Sequence, residues 1–202
     1  MTCPKCWIPA ITDYIGFYEN IIPDNVCDKI MAHDWGMRKS TYSNNDGKSK
    51  TSDERVEMDE VWVTKDMPFY DDIKNGVLKT IKKYSKHHKN FSCIHHTDFR
   101  INKYSEGGFM SKHVDNIHHS HGQTYGYPQV SVLLYLNEDY EGGEFFVAEE
   151  VFLPEKGSAI IFPSNFMYPH EAKAVTKGTL HRNTASRRIS KLATKVNSAQ
   201  SK

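Results

Sequence analysis

From Phe91 onward the chain breaks into short runs rich in β-branched and aromatic residues: FRINKY, QVSVLLYLN, GEFFVA and SAIIF, separated by SEGG, EGG and EKG. This texture constrains the fold more than any other feature. Each run is long enough for one strand, and the breaks carry glycine for turns. The spacing predicts antiparallel strands folded as a sandwich or jelly roll.

Two helical patterns precede these strands. In IIPDNVCDKIMAHD, Val26, Cys27, Ile30 and Met31 form an apolar stripe opened by Pro23 and Asp24. A second stripe runs through Ile73, Val77, Leu78, Ile81 and Tyr84, and both helices are expected to pack against a flat surface. Between them, residues 36–60 are polar and nearly free of large aliphatics. That composition predicts a mobile loop, and a loop of this length in a compact domain is a candidate lid. The expected architecture is mostly β with flanking helices: a jelly-roll core backed by N-terminal helices, in one domain spanning residues 1–202.

A chain of 202 residues buries enough core to be stable without disulfides or structural metals. Its formal net charge of +1 gives no global attraction to nucleic acid or to an anionic membrane, and neither is an expected partner. No apolar run approaches the roughly 20 residues of a membrane span, and no signal-peptide pattern opens the chain. A cytoplasmic location is therefore expected. Charge is uneven, because no acidic residue follows Glu171 whereas Arg182, Arg187, Arg188, Lys191, Lys195 and Lys202 do. Residues 183–202 read as a solvated basic tail. Among the cysteines only Cys3 and Cys6, in CPKC, have metal-like spacing. Without a second ligand pair they read as free thiols.

The chemistry concentrates in SKHVDNIHHSHG, which begins at Ser111. In extended chain, residues two apart project to the same side, so His113 and Asp115 converge while Val114 faces away. His170 follows another apolar strand, in FPSNFMYPHEA. Two histidines and one carboxylate, with one local pair and one remote ligand, form the pattern of the facial triad that binds Fe(II) and leaves adjacent positions open. His118, His119 and His121 lie among glycine and serine without a paired carboxylate and are not expected to be ligands.

Over residues 99–178 the ordered motifs YSEGGFMSKHVDN, SVLLYLNEDYEGGEFFV and PEKGSAIIFPSNFMYPHEAKAVTKG resemble the Fe(II)- and 2-oxoglutarate-dependent dioxygenases, and within them the prolyl 4-hydroxylases. The resemblance implies a double-stranded β-helix, with His113, Asp115 and His170 as iron ligands and 2-oxoglutarate as co-substrate. It also implies O2 consumption, release of succinate and CO2, ascorbate as a further ligand, and hydroxylation of a prolyl residue in a peptide or protein. Tyr104 and Ser131 match positions that assist co-substrate binding. The family places a basic residue for the far carboxylate about ten positions after the second histidine, where this chain has Leu180. Arg182 falls on the same strand face two residues on and offers a bidentate guanidinium; other nearby bases, Lys177, Arg187 and Arg188, are alternatives. Two rival readings accompany this one. One keeps the chemistry on a lysyl, small-molecule or nucleobase substrate, and the other is a catalytically weakened β-sandwich binding module.

Overall fold

A computed structural model describes residues 10–43, 49–50, 55–93, 95–115, 128–153 and 155–181. After a 3-10 turn at Ile11–Tyr14, the elements are β1 (Gly16–Tyr18), α1 (Asp24–Ala32), β2 (Arg38–Lys39), β3 (Tyr42–Ser43), β4 (Ser49–Lys50), β5 (Val56–Glu57), β6 (Asp59–Val63) and α2 (Tyr70–His87). They continue as β7 (Phe99–Lys103), β8 (Phe109–His113), β9 (Val130–Leu134), β10 (Glu141–Gly142), β11 (Phe145–Val147), β12 (Glu150–Phe152), β13 (Ala159–Pro163), β14 (His170–Ala172) and β15 (Val175–Lys177). The four strands expected from the sequence are β7, β9, β11 and β13.

One sheet has the order β12-β11-β14-β8-β5, antiparallel throughout. Facing it are β1-β13-β9 and β2-β6-β7, which the segment around Leu180 joins into one layer. Leu180 exchanges backbone hydrogen bonds with Tyr104 at 2.9 and 2.7 Å, and the His181 carbonyl accepts from the Leu136 amide at 2.9 Å. Between the layers lie two apolar clusters. Tyr135, Phe145, Val147, Ile160, Phe162 and Tyr168 form one, and Val56, Met58, Tyr104, Tyr140, Val175 and Leu180 form the other. Two packed antiparallel layers closed in this way are the double-stranded β-helix expected above.

β13 reads as an unbroken apolar run because both its faces are covered. Ile160 and Phe162 enter the inter-layer core, while Ala159 joins a third cluster with Ile22, Cys27, Ile30, Ile73 and Ile101 under the helices. In α2 the buried stripe is Ile73, Gly76, Val77, Thr80 and Tyr84. Leu78 is instead exposed, since it lies about 100° around the helix from Val77. Gly76 is required where α2 meets the sheet: a Cβ there would sit 2.9 Å from Ile22 Cγ1 and 3.2 Å from Leu134 Cδ1. No helix among the described residues is long and apolar enough to cross a membrane.

The reading of residues 36–60 as a loop is corrected. The stretch carries β2, β3, β4 and β5 and starts β6. β2 pairs with β6, and β5 pairs with β8 through Val56↔Met110 and Glu57↔Phe109. Buried Val56 and Met58 and the Ser40–Glu60 hydrogen bond of 2.7 Å tie it to the core. Composition concealed this because the strands are two residues long and Arg38 and Lys39 face solvent; tertiary pairing, rather than local propensity, makes them strands. Residues 44–48 and 51–54 lie outside the described residues, as does the basic tail.

Candidate metal centre

β8 ends at His113 and β14 begins at His170, and these two are cross-strand Cα partners. The pairing register then shifts between His170 and Ala172. The imidazole centroids are 4.3 Å apart. Asp115, two residues beyond the end of β8, places Oδ1 3.5 Å from His113 Nε2 and 3.4 Å from His170 Nε2. Donors bound to one ion at about 2.1 Å and at right angles lie about 3 Å apart, so the observed spacing fits a facial set. Among the described residues no other group of His, Cys, Asp and Glu converges in this way.

The backbone sets both rings. His113 Nδ1 lies 2.8 Å from the Ser111 carbonyl and His170 Nδ1 lies 3.1 Å from the Tyr168 carbonyl. A carbonyl only accepts, so each Nδ1 carries a proton and each ring turns its Nε2 inward toward Asp115. His170 is buried and wedged against Phe162 and Phe145, at centroid distances of 4.8 and 5.8 Å. For Asp115, burial works to raise the carboxyl pKa. The neighbouring His113 and His170 side chains and the Ser131 hydroxyl outweigh it and hold the group well below the usual carboxylate range. The site is thus a carboxylate oxygen and two imidazole nitrogens aimed at one point, a donor set suited to a divalent first-row ion.

The other expected site residues divide. Ser131 donates its hydroxyl to Asp115 Oδ2 and lies 2.9 Å from Ser164 Oγ, so it supports the carboxylate. Ser164 was not singled out from the sequence, where a serine after IIFP carries no signal. Tyr104 is buried in the apolar cluster opposite Leu180. Lys177 is exposed, with Nζ 3.7 Å from Glu141. Arg182, Arg187, Arg188, His118, His119, His121, Cys3 and Cys6 lie outside the described residues. The described residues therefore fit iron.

Residues 99–190 match the sequence model of the 2OG-Fe(II) oxygenase superfamily. The match takes in 92 of the 202 residues, and within it the chain is similar to that superfamily. The matched stretch holds the whole triad and starts with β7. A segment of the chain is 43% identical over 61 residues to human prolyl 3-hydroxylase 2, and another alignment is 44% identical over 62 residues to chicken prolyl 3-hydroxylase 1. These segments are 27% of this chain but only 9% and 8% of those proteins. The fold is shared more widely. A prolyl hydroxylase from Trichoplax adhaerens, solved with a hypoxia inducible factor peptide, superposes with a TM-score of 0.61 at 16% identity, covering 84% of this chain and 82% of that one. The viral collagen prolyl hydroxylase of Paramecium Bursaria Chlorella virus-1, solved with 2OG, gives 0.59 at 15% identity, covering 83% and 91%. Likeness at these identities establishes the double-stranded β-helix.

Proposed function

We propose that this chain is an iron(II)- and 2-oxoglutarate-dependent dioxygenase that hydroxylates a prolyl residue of a peptide or protein, releasing succinate and CO2. The observation that carries the reading is the convergence of His113 Nε2, Asp115 Oδ1 and His170 Nε2 from two neighbouring strands. Three protein donors on one side leave the other side of an ion free for a co-substrate and O2. Iron supplies the activation of dioxygen; the protein residues hold and orient it. The Nδ1 hydrogen bonds to Ser111 and Tyr168 fix the rings, and packed Phe145 and Phe162 shield the His170 side from water. Arg182 remains our candidate for the far carboxylate of 2-oxoglutarate, and ascorbate our candidate reductant. The prolyl assignment draws on the names of the prolyl 3-hydroxylases and on the peptide complex of the Trichoplax enzyme.

The test is succinate release by the iron-loaded protein with proline-containing peptides against free amino acids, nucleosides and other small metabolites. Stimulation by peptides, lost when proline is replaced, is the expected result. Stimulation by a small metabolite alone would overturn the prolyl assignment while keeping the chemistry. The binding-module reading draws on Leu180 and its apolar surroundings. It predicts no succinate release at all, even the slow uncoupled release of a working centre without substrate.

A further inference from the structure

A carboxylate that holds an ion through one oxygen must do something with the other. In Asp115 the inner oxygen, Oδ1, faces both imidazoles, and the outer oxygen, Oδ2, accepts from Ser131 Oγ. Ser131 Oγ also lies 2.9 Å from Ser164 Oγ. A serine hydroxyl has one proton, and a carboxylate oxygen only accepts. Ser131 therefore gives its proton to Asp115 and must accept from Ser164, so the chain of donation runs from Ser164 to Ser131 to Asp115. Its geometry is fixed by the sheet. Ser131 pairs with Phe162 in the β9–β13 ladder, and the Ser164 amide donates to the Gln129 carbonyl at 3.0 Å. Ser164 is 1% exposed, which keeps water from competing for its hydroxyl.

We infer that Ser131 and Ser164 are positioning residues for the metal centre: a two-hydroxyl relay that occupies Asp115 Oδ2 and so restricts this carboxylate to one coordination bond. The inference rests on the reading of the triad as an iron site. A free Oδ2 would let the carboxylate swing and chelate the ion, taking a position that co-substrate or O2 needs. Two strands outside the ligand set thus determine how many positions stay open. This is a different task from contact with the co-substrate, the role expected of Ser131 from the sequence.

Co(II) titrations of the full chain, followed by visible absorption and calorimetry, test it with Ser131→Ala, Ser131→Thr, Ser164→Ala and His170→Ala. Outer partners of metal ligands change affinity by about 10- to 100-fold. Ser131→Ala should weaken Co(II) binding by that factor and alter the absorption, reporting a changed coordination number. Ser131→Thr, which retains the hydroxyl, should restore both to within about threefold of the unsubstituted protein. Ser164→Ala should show a smaller shift of the same kind, and it preserves the test if Ser131→Ala fails to fold. Affinity and spectrum unchanged in both alanine variants, with binding lost in His170→Ala, would overturn the relay and leave the triad standing. A threonine variant as impaired as the alanine one would also overturn it, since the effect would then be packing. If His170→Ala binds Co(II) like the unsubstituted protein, the triad reading itself fails.

Discussion

Leu180 gives the most direct measure of how the inter-layer core is held. It is 1% exposed and packs with Val56, Met58, Tyr104, Tyr140 and Val175. The fit is tight: a Cβ built on Gly143 would lie 2.9 Å from a Leu180 methyl. Leu→Ala in a core costs about 2–5 kcal/mol, with the larger values where the surroundings cannot relax into the space. Here the backbone is pinned to Tyr104 by two hydrogen bonds and, through His181, to Leu136, so about 3–5 kcal/mol is expected for Leu180→Ala. For a domain of this size that lowers Tm by roughly 6–20 °C. With a urea m-value of about 2–3 kcal/mol/M, the midpoint falls by roughly 1–2.5 M. Urea unfolding followed by far-UV circular dichroism measures it, with Leu78→Ala, at 47% exposure on α2, as the control. Surface changes of that kind stay within about 0.5 kcal/mol. Equal midpoints for the two variants at unchanged m would refute the placement of Leu180 in the core.

His113→Ala, Asp115→Ala and His170→Ala should each reduce Fe(II) affinity at least about 100-fold in anaerobic calorimetry, because two remaining donors form a poor site; unsubstituted affinity in any one removes it from the ligand set. Gly157 has φ +75°, and an added Cβ would meet the Ile22 carbonyl at 2.3 Å, so Gly157→Ala should destabilise by about 2 kcal/mol or more in the same urea assay, whereas a loss below about 0.5 kcal/mol would contradict the turn. Burial, with help from Lys103 and against the pull of Asp139, depresses the His181 pKa. The folded state then binds fewer protons than the unfolded chain, so its stabilising contribution is intact above the ordinary value of about 6.5 and is lost as pH falls from there through the depressed one. His181→Gln should flatten the acid side of a stability–pH curve, and a slope equal to that of the unsubstituted protein would exclude His181 as its source.

What could be read from the sequence was whatever side chains repeat or pair along the chain. β7, β9, β11 and β13 announce themselves as apolar runs between glycine turns, and His113 with Asp115 shows as an i, i+2 pair. His170 could be joined to them only by its kind and its place after a strand. What escaped is carried by backbone or by partners distant in sequence. The carbonyls of Ser111 and Tyr168 that orient the imidazoles have no residue signature at all. The hydroxyl of Ser164 gains its role from lying beside Ser131. β2 and β5 are strands only because β6 and β8 pair with them, and the exposure of Leu78 depends on which side of α2 meets the sheet.

The position of Leu180 in the sheet also bears on the order in which the molecule assembles. Its segment fills the slot between Tyr104, at the end of β7, and Leu136, just past β9. Both flanking strands precede it in the chain by more than forty residues. Until residue 181 has left the ribosome, the layer is split, with two unpaired edges of the kind that attract other chains. The nascent chain is therefore open to aggregation until residue 181 emerges, after most of the described core residues have already done so. Metal capture belongs to the same stage, because His170 too is translated after every strand from β1 to β13.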